Sequence, residues 1–197
     1  MEANIFSNLS DADRLSLRNE IREFLLSNPE IIIEAVQQLE NKKTQNQKLS
    51  DASLVQSNYE ELFNDKGSWI GGNPNGDITI KEYPILGEQS TLAARLAISV
   101  LQQSGPLKYE LLHKKLMTKN ISLDQQNIQK ILEDLKIAPN DVINHLYSKE
   151  VTETLKSTRA LGQKLKISGT PTFIIEENII RGYVNFDQMK EIIKEIR

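Results

Sequence analysis

Apolar positions recur along most of this chain at helical spacing and switch to strand-like runs in only two places. Leu15, Leu17, Ile21, Phe24 and Leu25 form one face, and Ser10 with Asp13 makes a capping-box pair ahead of them. An amphipathic helix is therefore predicted over 11–26. Asn28-Pro29-Glu30 is a second helix start, and Ile32, Ile33, Val36 and Leu39 continue as one stripe. Residues 40–58 keep helix-forming types but carry few apolar ones. A long helix with so narrow a stripe buries little against its own domain. It is either a solvated stalk or a helix that pairs with another chain, and pairing is favoured over folding back on the same domain.

The run 64–77, NDKGSWIGGNPNGD, concentrates Gly, Asn and Pro. It reads as a linker and as the main boundary. Ile78 to Ile85 is expected as a strand. Helices are expected over 89–103, from Pro106 to about Met117, from Ser122 or Leu123 to about Leu135, from Pro139 through Tyr147, and over 149–166. The period then changes. Thr172-Phe173-Ile174-Ile175, a turn at Glu176-Glu177-Asn178, and Ile179 to Val184 read as a β-hairpin. Asn185 or Asp187 caps a last amphipathic helix through Ile196.

Composition narrows the chemistry. The chain has 197 residues, 39% hydrophobic and 26% charged, with no cysteine. Disulfides, thiolate metal sites, iron–sulfur clusters and cysteine nucleophiles are excluded. Two histidines, His113 and His145, rule out a His-rich metal site and read as structural residues. No metal or cofactor is expected. The net charge of −3 gives no electrostatic footprint for nucleic acid. The longest apolar run, Ile31-Ile32-Ile33, is far below the roughly 20 residues of a spanning helix. The acidic, polar N-terminus does not read as a signal peptide. A cytoplasmic chain, or one whose signal was removed, fits equally. Glu60-Glu61 and Glu176-Glu177 read as solvated pairs, the Gly67–Gly72 region as no phosphate loop, and Trp69 as an anchor for the linker.

Pro171, at the mouth of a strand, needs a reason, because proline cannot donate to a sheet ladder. A cis bond and an ordinary trans proline at a strand start are both open on local sequence. A cis bond would leave the backbone of Thr170 free to pair with an extended peptide.

The run GTPTFIIEENIIRGYVNFDQMKEII resembles the C-terminal half of the DsbA-like branch of the thioredoxin superfamily. Tyr83-Pro84-Ile85-Leu86-Gly87, Ser90 and Leu92-Ala93-Ala94-Arg95 resemble that family's entry into its inserted helical domain. Residues 155–166 are similar to the helix before its cis-proline loop, and Asn73 to Thr79 to the lead into its first strand. The helices at 10–63 resemble the N-terminal oligomerisation region of periplasmic members related to copper-sensitivity-suppressor proteins. The resemblance implies an α/β, truncated thioredoxin-like fold with an inserted helical domain (about 89–150) and an N-terminal helical extension. Residues 1–63 are expected as an oligomerisation region, 64–77 as a linker and 78–197 as the thioredoxin domain.

The departure is one missing segment. The family's first strand runs into a Cys-X-X-Cys helix and then a second strand, whereas here Ile80 meets Lys81 directly. About 30 residues, one βα unit, are absent. Thiol–disulfide exchange needs a thiolate, and this chain has none. Expected, then, is a redox-inactive peptide-binding, chaperone-like or scaffold homologue, with Thr170 and Pro171 as the site for extended or unfolded polypeptide, in a periplasmic setting by resemblance. The alternative is an internally deleted form of an active oxidoreductase or isomerase. The sheet is expected to have three strands, with 78–85 beside 172–176 and 179–184 at its edge. The loss should also expose apolar surface, unless a partner chain or the N-terminal helices cover it.

Overall fold

The computed structural model describes residues 10–65, 67–70, 79–118 and 122–196. The expectations for residues 1–8, for Asn73 to Ile78 and for most of the 64–77 linker lie outside them. The chain divides into two compact units, Met1–Leu49 and Ser50–Arg197.

In the first unit, α1 spans Asp11–Ser27 and α2 (Glu30–Ser57) begins. The predicted capping box starts α1: the Asp13 amide donates to Ser10 Oγ at 3.2 Å, and the Ser10 amide donates to the Asp13 carboxylate at 3.2 Å. Pro29 follows the last turn, where Asn28 Nδ2 donates to the Phe24 carbonyl at 2.8 Å. No residue of α1 is buried. Ile21, Phe24, Ile32, Val36 and Leu39 are each at least half exposed.

The second unit holds the end of α2 and α3 (Tyr59–Phe63). It continues with β1 (Trp69–Ile70), β2 (Thr79–Ile80), α4 (Glu88–Ser104), α5 (Pro106–Thr118), α6 (Gln125–Asp134), α7 (Pro139–His145), α8 (Lys149–Lys164), β3 (Thr172–Ile175), β4 (Asn178–Arg181) and α9 (Phe186–Ile196). The apolar α4 is the spine of the helical part. Leu96 and Val100 pack with Leu112, Ile128, Leu132 and Val142, while Ala94 and Ile98 pack on Val151 and Leu155. Ser99, fully buried in α4, donates to the Val142 carbonyl at 2.8 Å, so its hydroxyl costs little. A second core joins Val55 of α2 and Leu62 of α3 to Leu161, Leu165, Ile174 and Ile179.

The three-stranded sheet is not formed. β2 pairs antiparallel with β1 (Trp69↔Ile80), and β3 pairs antiparallel with β4 (Phe173↔Ile180, Ile175↔Asn178), giving two separate ladders among the described residues. Residues 81–87 are irregular. Their side chains explain it. Lys81 Nζ reaches Asp65 at 2.6 Å, Glu82 accepts from Tyr109, Tyr83 reaches the Ile167 carbonyl, and Pro84 has no N–H to offer. The segment is held by side chains rather than by a ladder.

Candidate functional site

The end of α8 shapes the approach to β3. The Ile167 amide donates to the Gly162 carbonyl at 2.8 Å, and the Lys166 amide to the Gln163 carbonyl at 3.0 Å. This is the Schellman arrangement, with Lys166 in the left-handed region at φ 54°. Ile167 returns its side chain to the core beside Leu161. The chain then leaves the helix through Ser168-Gly169 and enters β3 across a cis Thr170–Pro171 bond.

Thr170 and Pro171, the two residues singled out from sequence, stand exposed at the start of β3. The Gly182 amide donates to the Pro171 carbonyl at 3.0 Å, which makes Pro171 and Gly182 a hydrogen-bonded pair of the hairpin. Such pairs alternate along an antiparallel ladder. The backbone groups of 173 and 175 and the Pro171 carbonyl therefore face β4, and those of Thr172 and Ile174 face the outer edge. That edge has no strand partner among the described residues.

A pocket of about 130 Å³ opens beside it. Thr172 and Ile174, on one face of β3, form one wall together with Thr170. Leu161, Gly162 and Leu165 of α8 form another, and Leu62, Phe63, Lys81 and Tyr83 contribute further. Tyr83 lies against Gly162, where an added Cβ would come within 2.6 Å of its ring, and its hydroxyl donates to the Ile167 carbonyl at 3.2 Å.

Neighbouring polar groups are structural. Tyr109 donates to Glu82 at 2.6 Å, its ring 5.2 Å from that of Trp69 and 5.7 Å from that of His113. Trp69 thus anchors its segment on α5. His113 Nδ1 lies 3.9 Å from Glu82, and His145 Nε2 lies 2.8 Å from Gln102 Oε1. Burial pushes the Glu82 carboxyl up, against the Tyr109 hydrogen bond and His113, and pushes Tyr109 up as well. Burial also acts to raise Asp65, but hydrogen bonds from Lys81, Ser68 and the Gly67 amide outweigh it and bring it down to about 2. Glu61 is paired with Lys164. Among the described residues no three His, Cys, Asp or Glu are grouped to hold a metal ion, and no helix is long and apolar enough to cross a membrane.

The sequence singles out Thr170 and Pro171 but not the pocket beside them. Tyr83 was visible only as part of a motif, and nothing local marks Gly162. Nor does anything mark Asp51, 4% exposed, which accepts both guanidinium nitrogens of Arg181 at 2.7 and 2.8 Å.

The family model for the DSBA-like thioredoxin domain matches residues 27–194. The chain belongs to this family. Disulfide bond formation protein D of Bacillus subtilis is 28% identical over 115 residues, covering 55% of this chain and 51% of that protein. The chain thus spans about half the length of this curated relative. Among solved structures, a linker-deletion mutant of ScsC from Proteus mirabilis superimposes with a TM-score of 0.66 at 24% identity, covering 96% of this chain and 97% of that one. The thiol-disulfide exchange protein α-DsbA2 from Wolbachia pipientis gives 0.69 at 18% identity, covering 77% and 98%. Both show the thioredoxin-like fold. The DsbA-like chain described here differs from its family's redox pattern in having no cysteine.

Proposed function

We propose that this DsbA-like chain is a redox-inactive homologue that docks extended polypeptide at Thr170 and Pro171. The observation that carries the reading is the open outer edge of β3 in a chain with no thiol. Exchange between thiols and disulfides proceeds by thiolate attack on a disulfide sulfur, and no hydroxyl or imidazole here can replace that step. A backbone edge needs no redox chemistry to pair with a client strand. Self-association through the N-terminal helices belongs to the same reading. It is supported by the exposed apolar face of α1 and the start of α2. A periplasmic setting is read from the family resemblance.

The test has two arms. Pure protein is expected to show no turnover in insulin reduction or in reactivation of scrambled ribonuclease, and clear turnover overturns the redox-inactive reading. Addition of an unfolded client peptide is expected to slow hydrogen exchange at the Thr170 amide, and unchanged exchange overturns docking there.

The direct run from β2 into residues 81–87, with the outer edge of β3 left without a strand among the described residues, also favours a second reading: an internally deleted form of an active oxidoreductase or isomerase. The encoding DNA decides. A Cys-X-X-Cys-coding stretch between the codons for Ile80 and Lys81 establishes the second reading and removes the first.

A further inference from the structure

We propose that the pocket beside β3 is an anchor site for one apolar side chain (Leu, Ile, Met or Phe) of an extended polypeptide, whose backbone pairs with the outer edge at Thr172 and Ile174. This rests on the docking reading above and adds to it a sequence preference and a register.

Two independent features coincide. Pairing parity turns the backbone N–H and C=O groups of Thr172 and Ile174 to the open edge. The side chains of the same two residues line the pocket, with Thr170 beside them. A molecule on the edge therefore lies beside the pocket, and one side chain of a strand can enter it while its backbone continues the ladder.

Size and polarity define that side chain. About 130 Å³ is close to the roughly 150 Å³ of an apolar cavity that holds a benzene ring. Leu161, Leu165 and Ile174 supply apolar walls. The one ammonium group there, on Lys81, is already held by Asp65 and Ser68 at 2.6 and 2.8 Å, so it does not recruit an acidic side chain. The Thr172 hydroxyl is likewise occupied, donating to the Gly169 carbonyl at 2.8 Å. A small hydrophobic molecule could fill the pocket but would leave the edge amides unpaired. An extended polypeptide satisfies both. The edge itself, Thr-Phe-Ile-Ile, has no charge, proline or bulge to repel an incoming strand.

The experiment uses the full chain and two fluorescein-labelled blocked peptides of Thr and Ser that differ at one central position, Leu in one and Gly in the other. Anisotropy titration is expected to show the Leu peptide binding about tenfold to a hundredfold more tightly, the worth of burying one such side chain. The Leu peptide is expected to slow amide exchange at Thr172 and Ile174. Thr172→Phe, which fills the pocket, is expected to erase the difference between the two peptides. Equal binding of the two peptides to the wild-type chain overturns the anchor site and leaves docking at Thr170 standing. Exchange slowed at Thr170 alone does the same. Failure of both peptides to bind overturns the docking reading too. Self-association that persists in Ile21→Asp with Phe24→Asp and excludes the peptide makes a second copy the occupant and overturns this assignment. If Thr172→Phe does not fold, the wild-type comparison still decides.

Discussion

Glu82 is held with 19% of its side chain exposed, accepting from Tyr109 and facing His113, while its neighbour Lys81 is turned to Asp65. Burial raises its carboxyl above the ordinary value of 4.5. Between the unfolded and folded values the folded chain binds more protons, so stability falls as pH rises through that interval. Glu82→Gln keeps an acceptor for Tyr109 without the charge. It is expected to flatten this dependence and to stabilise the protein at neutral pH. Urea denaturation from about pH 4 to about pH 8 checks it, and an unchanged slope refutes it. Gly162 gives a second test. In a helix Ala is ordinarily favoured over Gly by up to about 1 kcal/mol. Here the added methyl meets the Tyr83 ring, so Gly162→Ala is expected to destabilise by about 1–3 kcal/mol, read as a lowered urea midpoint. A raised midpoint would show that Tyr83 moves freely. Neither role was legible in the sequence, because each depends on a side chain about 80 residues away, Gly162 on Tyr83, or on another element, Glu82 on α5.

At the scale of elements, local rules were legible where the stabilising partner is close in sequence. The α1 capping box joins residues three apart, and the α9 start repeats the device with Asn185 and Gln188. The hairpin was legible from its β-branched run and its turn, where Glu176 takes φ 51°. The end of α8 adds a prediction. Lys166 occupies a left-handed position that favours glycine, as Lys136 does after α6. Lys166→Gly is expected to raise stability by about 1 kcal/mol, seen as a higher urea midpoint with unchanged slope. Strand pairing was not legible. Ile78 to Ile85 has strand-like residues, but pairing depends on which edge is within reach. Trp69–Ile70 and the side-chain ties of Lys81, Glu82 and Tyr83 settled that instead.

At the scale of the molecule, α9 has no buried residue, and its Phe186 and the preceding Tyr183 are largely exposed, so the second unit leaves apolar surface uncovered. In the first unit the exposed face of α1 and early α2 is expected to drive self-association. Light scattering should show an oligomer that Ile21→Asp with Phe24→Asp dissolves, and a wild-type monomer at about tens of micromolar, well above typical specific affinities, would refute it. The sequence by itself determined the helices, the hairpin, the family resemblance and the absence of any thiol, because these depend on residue type and short-range spacing. The tertiary structure alone decided the open edge of β3, the pocket behind it and the Asp51–Arg181 pair. Those depend on which distant residues meet, and short-range spacing carries no record of that.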